Sequence, residues 1–176
     1  MRQHSGRLAL GGVLTALAVV LLLLTVSPLA TVALAALAGL TAVPLVIAIN
    51  KRAALLQYAA VTVLALVLVP AWEGKLMYIG FFGYYAVVKA ALEGRRLPLA
   101  AEWAVKIALF AAALAAGVTL ALTVGGVPLP SFHPAAWVGL ALAAVAVFVL
   151  YDVGLTRLIS GYIRTVHPAV RRLFRF

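Results

Sequence analysis

LALGGVLTALAVVLLLLTV, residues 8–26, runs through nineteen positions without a charged side chain. At about 1.5 Å of rise per residue, a helix of that length crosses roughly 30 Å of hydrocarbon. The rest of the chain repeats this pattern. Apolar residues make up 66% of the sequence and the mean hydropathy is +1.18, against about 45–50% apolar in ordinary soluble domains. A soluble fold of 176 residues could not shelter that much apolar surface, so the bilayer is the solvent. Arg2 and Arg7 ahead of residues 8–26 imitate a secretory leader. The apolar run exceeds the roughly 7–15 residues of a signal core and more spans follow, so a retained first helix is expected.

Outward from that segment, six spans are predicted, at about 8–26, 29–49, 53–69, 76–92, 98–124 and 135–155. Ser27-Pro28 stops the first. Pro44 is expected to kink the second, and Asn50-Lys51-Arg52 makes a polar turn after it. Pro70 ends the third, and Ala71–Lys75 reads as a short loop. Glu93-Gly94-Arg95-Arg96 is the next turn, with Pro98 suited to open the fifth span. Glycines and prolines between residues 125 and 134 make the longest loop. The fold class expected is all-α, a polytopic six-helix membrane bundle forming one domain over residues 1–176.

The charges orient it. With the N-terminus inside, Arg2, Arg7, Lys51, Arg52, Arg95, Arg96 and the basic tail fall on the cytoplasmic side, and Lys75 alone falls outside. Both termini are then cytoplasmic, in a multi-pass protein of the cytoplasmic membrane. Residues 156–176 read as a basic amphipathic tail, with Arg157, Arg164 and Arg171 seven apart. Such a tail either anchors on the anionic leaflet or docks a partner. The net charge of +10 is explained by this placement, and no nucleic-acid motif accompanies it.

Charges inside a span cost about 2.5–3.5 kcal/mol at its centre, so each must be accounted for. Lys89 has Glu93 and Lys106 has Glu102 at i±4, and both lysines could also snorkel to the membrane surface. Asp152 has Phe148, Val149, Leu155 and Thr156 as helical neighbours, none basic. Its partner must come from another helix, which predicts a charge cluster of Lys89, Glu93, Glu102, Lys106 and Asp152 joining the last three spans. A packing clamp, a proton relay and an interfacial carboxylate are the roles open to it.

Tyr78, Phe82, Tyr85 and Lys89 share one face of the fourth span. Packing is the ordinary use of such a stripe. The sharper use is a ligand wall, with Trp72, Glu73, His133 and Trp137 near its outer end. Gly12 and Ala16, four apart in the first span, suit close helix contact with another subunit. The sequence has no cysteine, which excludes thiolate metal sites and thiol nucleophiles. No metalloprotease helix, nucleophile elbow or phosphate loop occurs, so neither an enzyme nor a cofactor or metal is expected.

The six-span pattern, together with LALGGVLTAL at residues 8–17, resembles the substrate-binding S components of energy-coupling factor importers. That resemblance implies docking through Gly12 and Ala16 on a transmembrane coupling protein served by nucleotide-binding subunits. It also implies a vitamin-like ligand held toward the outer side, with Trp72, Glu73, Tyr78, His133 and Trp137 as candidate contacts. FFGYYAVVKAALE, residues 81–93, is similar to uncharacterised small bacterial membrane proteins. The function expected is a non-catalytic membrane subunit that binds and delivers a small molecule. The alternative is a structural envelope protein with no ligand chamber. Topology reporters fused at Asn50 and Gly94 should read cytoplasm and one near Gly126 exterior; the opposite readings would discard this orientation.

Overall fold

The computed structural model describes residues 2–26, 30–95, 98–123, 126 and 133–166, and among these the chain is helical with no strand. The expected turn at Ser27-Pro28, Arg96, loop positions 125 and 127–132, and the tail from 167 onward lie outside the described residues. Five helical stretches are long and apolar enough to cross a membrane: 5–26, 31–48, 51–68, 99–123 and 135–164.

The first stretch is α1 (Arg2–Leu23), tightened into a 3-10 turn over Leu24–Val26. Helices α2 (Thr31–Leu40) and α3 (Val43–Ala48) make the second, and the break falls at Thr41-Ala42, just ahead of Pro44. Pro44 offers no N–H to the Leu40 carbonyl, and the backbone tightens in response. The N–H groups of Thr41 and Ala42 donate to Ala38 and Gly39, three residues back, each at 3.2 Å. Gln57 Nε2 donates to Thr41 Oγ1 at 2.9 Å from the neighbouring helix and holds the kink from outside. That helix, α4 (Lys51–Leu68), begins at an Asn50 cap whose side chain accepts the Ala53 N–H at 2.8 Å.

Residues 72–93 form one helical stretch rather than a loop and a helix starting at 76. It comprises α5 (Trp72–Met77), a π-helical turn over Tyr78–Phe82, and α6 (Gly83–Glu93). Glu73 sits in its first turn, where a carboxylate favours helix, so the polar residues taken for a loop open the helix instead. A π-turn shifts carbonyls out of the regular ladder, and two tyrosines take them up. Tyr58 donates to the Ile79 carbonyl and Tyr84 to the Gly80 carbonyl, each at 2.8 Å. The last helices are α7 (Leu99–Thr123) and α8 (Pro134–Gly161), the latter running on through a π-turn over Tyr162–Val166. Residues 156–166, the first part of the basic segment, continue the last helix, whose expected end was at or beyond Leu155.

The helices alternate in direction. Thr25 lies against Gly74 at one end of the bundle, and the Lys51 ammonium lies beside Gly94 at the other. Around residues 72–93 the packing is inside-out relative to a soluble protein. Lys89, Lys106 and Asp152 are buried, while Leu56, Val67 and Leu150 are 72%, 78% and 73% exposed. Apolar side chains on the outside are what a hydrocarbon solvent accepts.

Ala35, Ala38 and Gly39 on α2 are buried, and the backbone of Phe82 sits where a Cβ on Gly39 would go. A rigid backbone cannot yield as a side chain can. Gly39→Ala should therefore destabilise the bundle by about 1–3 kcal/mol in thermal unfolding in nanodiscs. Gly117→Ala, whose Cβ enters open space, should leave the melting temperature unchanged.

Candidate functional site

Tyr85, Lys89 and Glu93 lie four residues apart on α6, which places three polar groups in one column. Helix α7 brings Glu102 and Lys106, again four apart, and α8 brings Asp152 between buried Phe148 and Leu155. The five charged residues converge. Asp152 Oδ1 accepts from Lys89 Nζ at 2.7 Å and from the Tyr85 hydroxyl at 2.6 Å, while Oδ2 accepts from Lys106 Nζ at 3.1 Å. Glu93 Oε1 lies 2.6 Å from Lys89 Nζ and 3.3 Å from Lys106 Nζ. Glu102 Oε1 lies 2.7 Å from Lys106 Nζ.

Lys106 thus uses all three of its donors on carboxylates from three helices. Neither lysine snorkels: their side chains are 1% and 2% exposed. The Trp103 ring, 5.3 Å from the Lys106 ammonium, adds a cation–π contact.

A layer of aromatic rings closes over the knot. Phe110 and Phe148 stack at 4.7 Å and 10°, Phe81 meets Tyr85 at 4.7 Å, and Phe81 also meets Phe110 and Phe148 edge-on. This layer draws one ring each from α7 and α8 onto the 72–93 helix and sets a low-dielectric wall beside the charges. In such surroundings each ion pair is strong, and each charge is costly if its partner is lost.

The seven residues considered as a ligand wall have separate surroundings among the described residues. Tyr78 is buried against Tyr58 at 6.0 Å. Phe82 packs on Tyr151 at 5.1 Å, and Tyr85 belongs to the knot. Trp72, Glu73, His133 and Trp137 are exposed. His133 Nδ1 accepts the Ala135 N–H at 3.4 Å, at the start of α8. A cleft of about 570 Å³ near the α1–α2 connection takes in Glu73 alone of the seven, beside Thr25, Thr31, Pro70 and Met77. A second cleft, of about 290 Å³, opens beside the charge knot and is lined by Glu93, Glu102, Trp103, Lys106, Asp152 and Arg157. Gly12 and Ala16 are exposed on α1, on the side away from buried Leu10, Ala18 and Leu22.

Sequence reasoning missed the Tyr85 hydroxyl as a partner of Asp152, because the stripe it belongs to read as apolar. Its signal was the spacing Tyr85, Lys89, Glu93, a polar column within an aromatic one. The buried Gln57–Thr41 pair was missed too, and a glutamine inside an apolar span was the available cue.

No protein-family model matches this chain, and no curated protein or solved structure is significantly similar to it.

Asp152→Asn keeps the volume and removes the charge between two buried ammoniums. It should destabilise the bundle by about 3–5 kcal/mol, read by thermal unfolding in nanodiscs. Combining it with Lys89→Met should give less than the summed loss. Unchanged stability and oligomeric state in the single variant would show that the knot holds nothing.

Proposed function

We propose that this chain is a non-catalytic structural protein of the cytoplasmic membrane. In this reading it spans the bilayer six times with both ends in the cytoplasm and organises partner proteins on a rigid bundle. The 72–93 stretch is the sixth crossing. Its Glu73 and Lys75 lie at one end and Lys89 and Glu93 near the other, and neighbouring helices shelter its middle. Lys51, Arg52 and Arg95 gather at one end of the bundle, as cytoplasmic turns do.

The observation that carries the structural reading is the use made of the aromatic stripe. Tyr78, Phe82 and Tyr85 would have to face a chamber in a substrate-binding subunit. Here their rings pack on Tyr58, Tyr151, Phe81 and Phe148. A bundle sewn through its centre by rings and ion pairs is suited to hold a shape rather than to open alternately around a ligand. The exposed Gly12–Ala16 face of α1 and the exposed Arg157 and Arg164 are surfaces available to partners among the described residues.

Purification at native expression, followed by mass spectrometry of bound proteins and small molecules, tests this reading. It predicts membrane-assembly proteins and, lipids aside, no stoichiometric small molecule. Recovery of nucleotide-binding subunits with a bound vitamin-like compound would overturn it in favour of the importer.

A further inference from the structure

The cleft beside the charge knot is dipolar. On one side two lysines, Lys89 and Lys106, face three carboxylates, Glu93, Glu102 and Asp152, which leaves a formal charge of −1. The Glu93 and Glu102 side chains are 39% and 17% exposed, so both carboxylates are accessible from the cleft they line. On the other side Arg157 lines the same cleft and makes no ion pair among the described residues. Trp103 adds an aromatic wall to the cleft. At about 290 Å³ the cleft falls at the lower edge of small-molecule sites, which run from roughly 300 Å³ upward, so its occupant is small.

A negative edge, a positive edge and an amphipathic indole are complementary to a zwitterion with an ammonium at one end and an anion at the other. The cleft also sits at helix ends, since Glu93 closes α6 and Glu102 lies in the first turn of α7. Both flanking helices carry exposed apolar side chains near it: Val105 and Ile107 on α7, and Leu150 and Val153 on α8, of which Val153 lines the cleft itself.

We propose that this cleft binds the headgroup of an aminophospholipid. The ethanolamine ammonium sits on Glu93 and Glu102, the phosphate sits on Arg157, and the acyl chains lie along α7 and α8. The inference rests on the placement of the bundle in the bilayer given above, which sets this cleft at headgroup level. An ethanolamine ammonium donates three hydrogen bonds to carboxylates, whereas a choline headgroup has the same charge and no N–H to donate. A phosphatidylglycerol headgroup has the anion and lacks the cation. The site therefore discriminates among lipids of equal size.

The test is native mass spectrometry of the intact protein, released from micelles containing equal amounts of phosphatidylethanolamine, phosphatidylcholine and phosphatidylglycerol with matched chains. Phosphatidylethanolamine should be retained about tenfold or more over phosphatidylcholine, the worth of one charge-assisted hydrogen bond. Glu102→Gln should abolish that preference, and Arg157→Gln, which removes the phosphate contact common to both zwitterions, should lower the retention of both about tenfold. Arg157 is exposed and outside the ion network, so its variant keeps the test valid if Glu102→Gln unfolds the protein. Equal retention of the two zwitterions, or retention of phosphatidylethanolamine untouched by Arg157→Gln, would overturn the proposal. Preferred retention of phosphatidylglycerol would overturn it in favour of a plain anion site. Free phosphoethanolamine binding as tightly as the lipid would assign the cleft to a soluble ligand instead. The lipid preference is read without any partner protein, so its failure is distinct from failure of the structural role.

Discussion

A single carboxylate held between two ammoniums organises this bundle. Asp152 takes Lys89 on one oxygen and Lys106 on the other, and so draws three helices to one point where water cannot compensate any of the charges. The lysines cannot leave without exposing a bare carboxylate to hydrocarbon, and the carboxylate cannot leave without stranding two cations. Glu93 and Glu102 complete the pairing from the helix ends. In a bilayer, where apolar side chains gain little by leaving lipid for one another, such interactions and close packing must define which helix sits beside which.

The aromatic layer and the knot act as one unit. Phe81, Phe110 and Phe148 come from the same three stretches that supply the charges, so rings fix the spacing the ion pairs require. Tyr85 belongs to both sets, with its ring against Phe81 and its hydroxyl on Asp152. On the other side of the bundle the close approach is made by small residues instead, with Gly39 letting the Phe82 backbone come against α2. The π-turn between them is stabilised by tyrosine hydroxyls on freed carbonyls.

Much of this was legible in the sequence because the bilayer simplifies the code. Apolar length announces helices, and Pro44 located a kink to within a turn. Asp152, with no basic residue one turn away, required a partner from another helix. Other features could not be read. Tyr78, Phe82 and Tyr85 have the same spacing whether they face a chamber or a neighbouring helix, and only the positions of Tyr58, Tyr151 and Phe148 decide it. The π-turn leaves no periodic mark in so aromatic a segment. Glu73 and Lys75 looked like loop residues because polarity at a span boundary suits a loop and a helix start equally well.

The most direct measurement on the knot is a heteronuclear distance in lipid bilayers by magic-angle-spinning NMR. Asp152 is the sole aspartate in the sequence and lysines are few, so carboxyl-¹³C aspartate with ζ-¹⁵N lysine reports this contact without ambiguity. The account predicts dipolar coupling from that carbon to two charged ammonium nitrogens, consistent with N···O separations of 2.7 and 3.1 Å. A carboxyl carbon with no lysine nitrogen in range would contradict it.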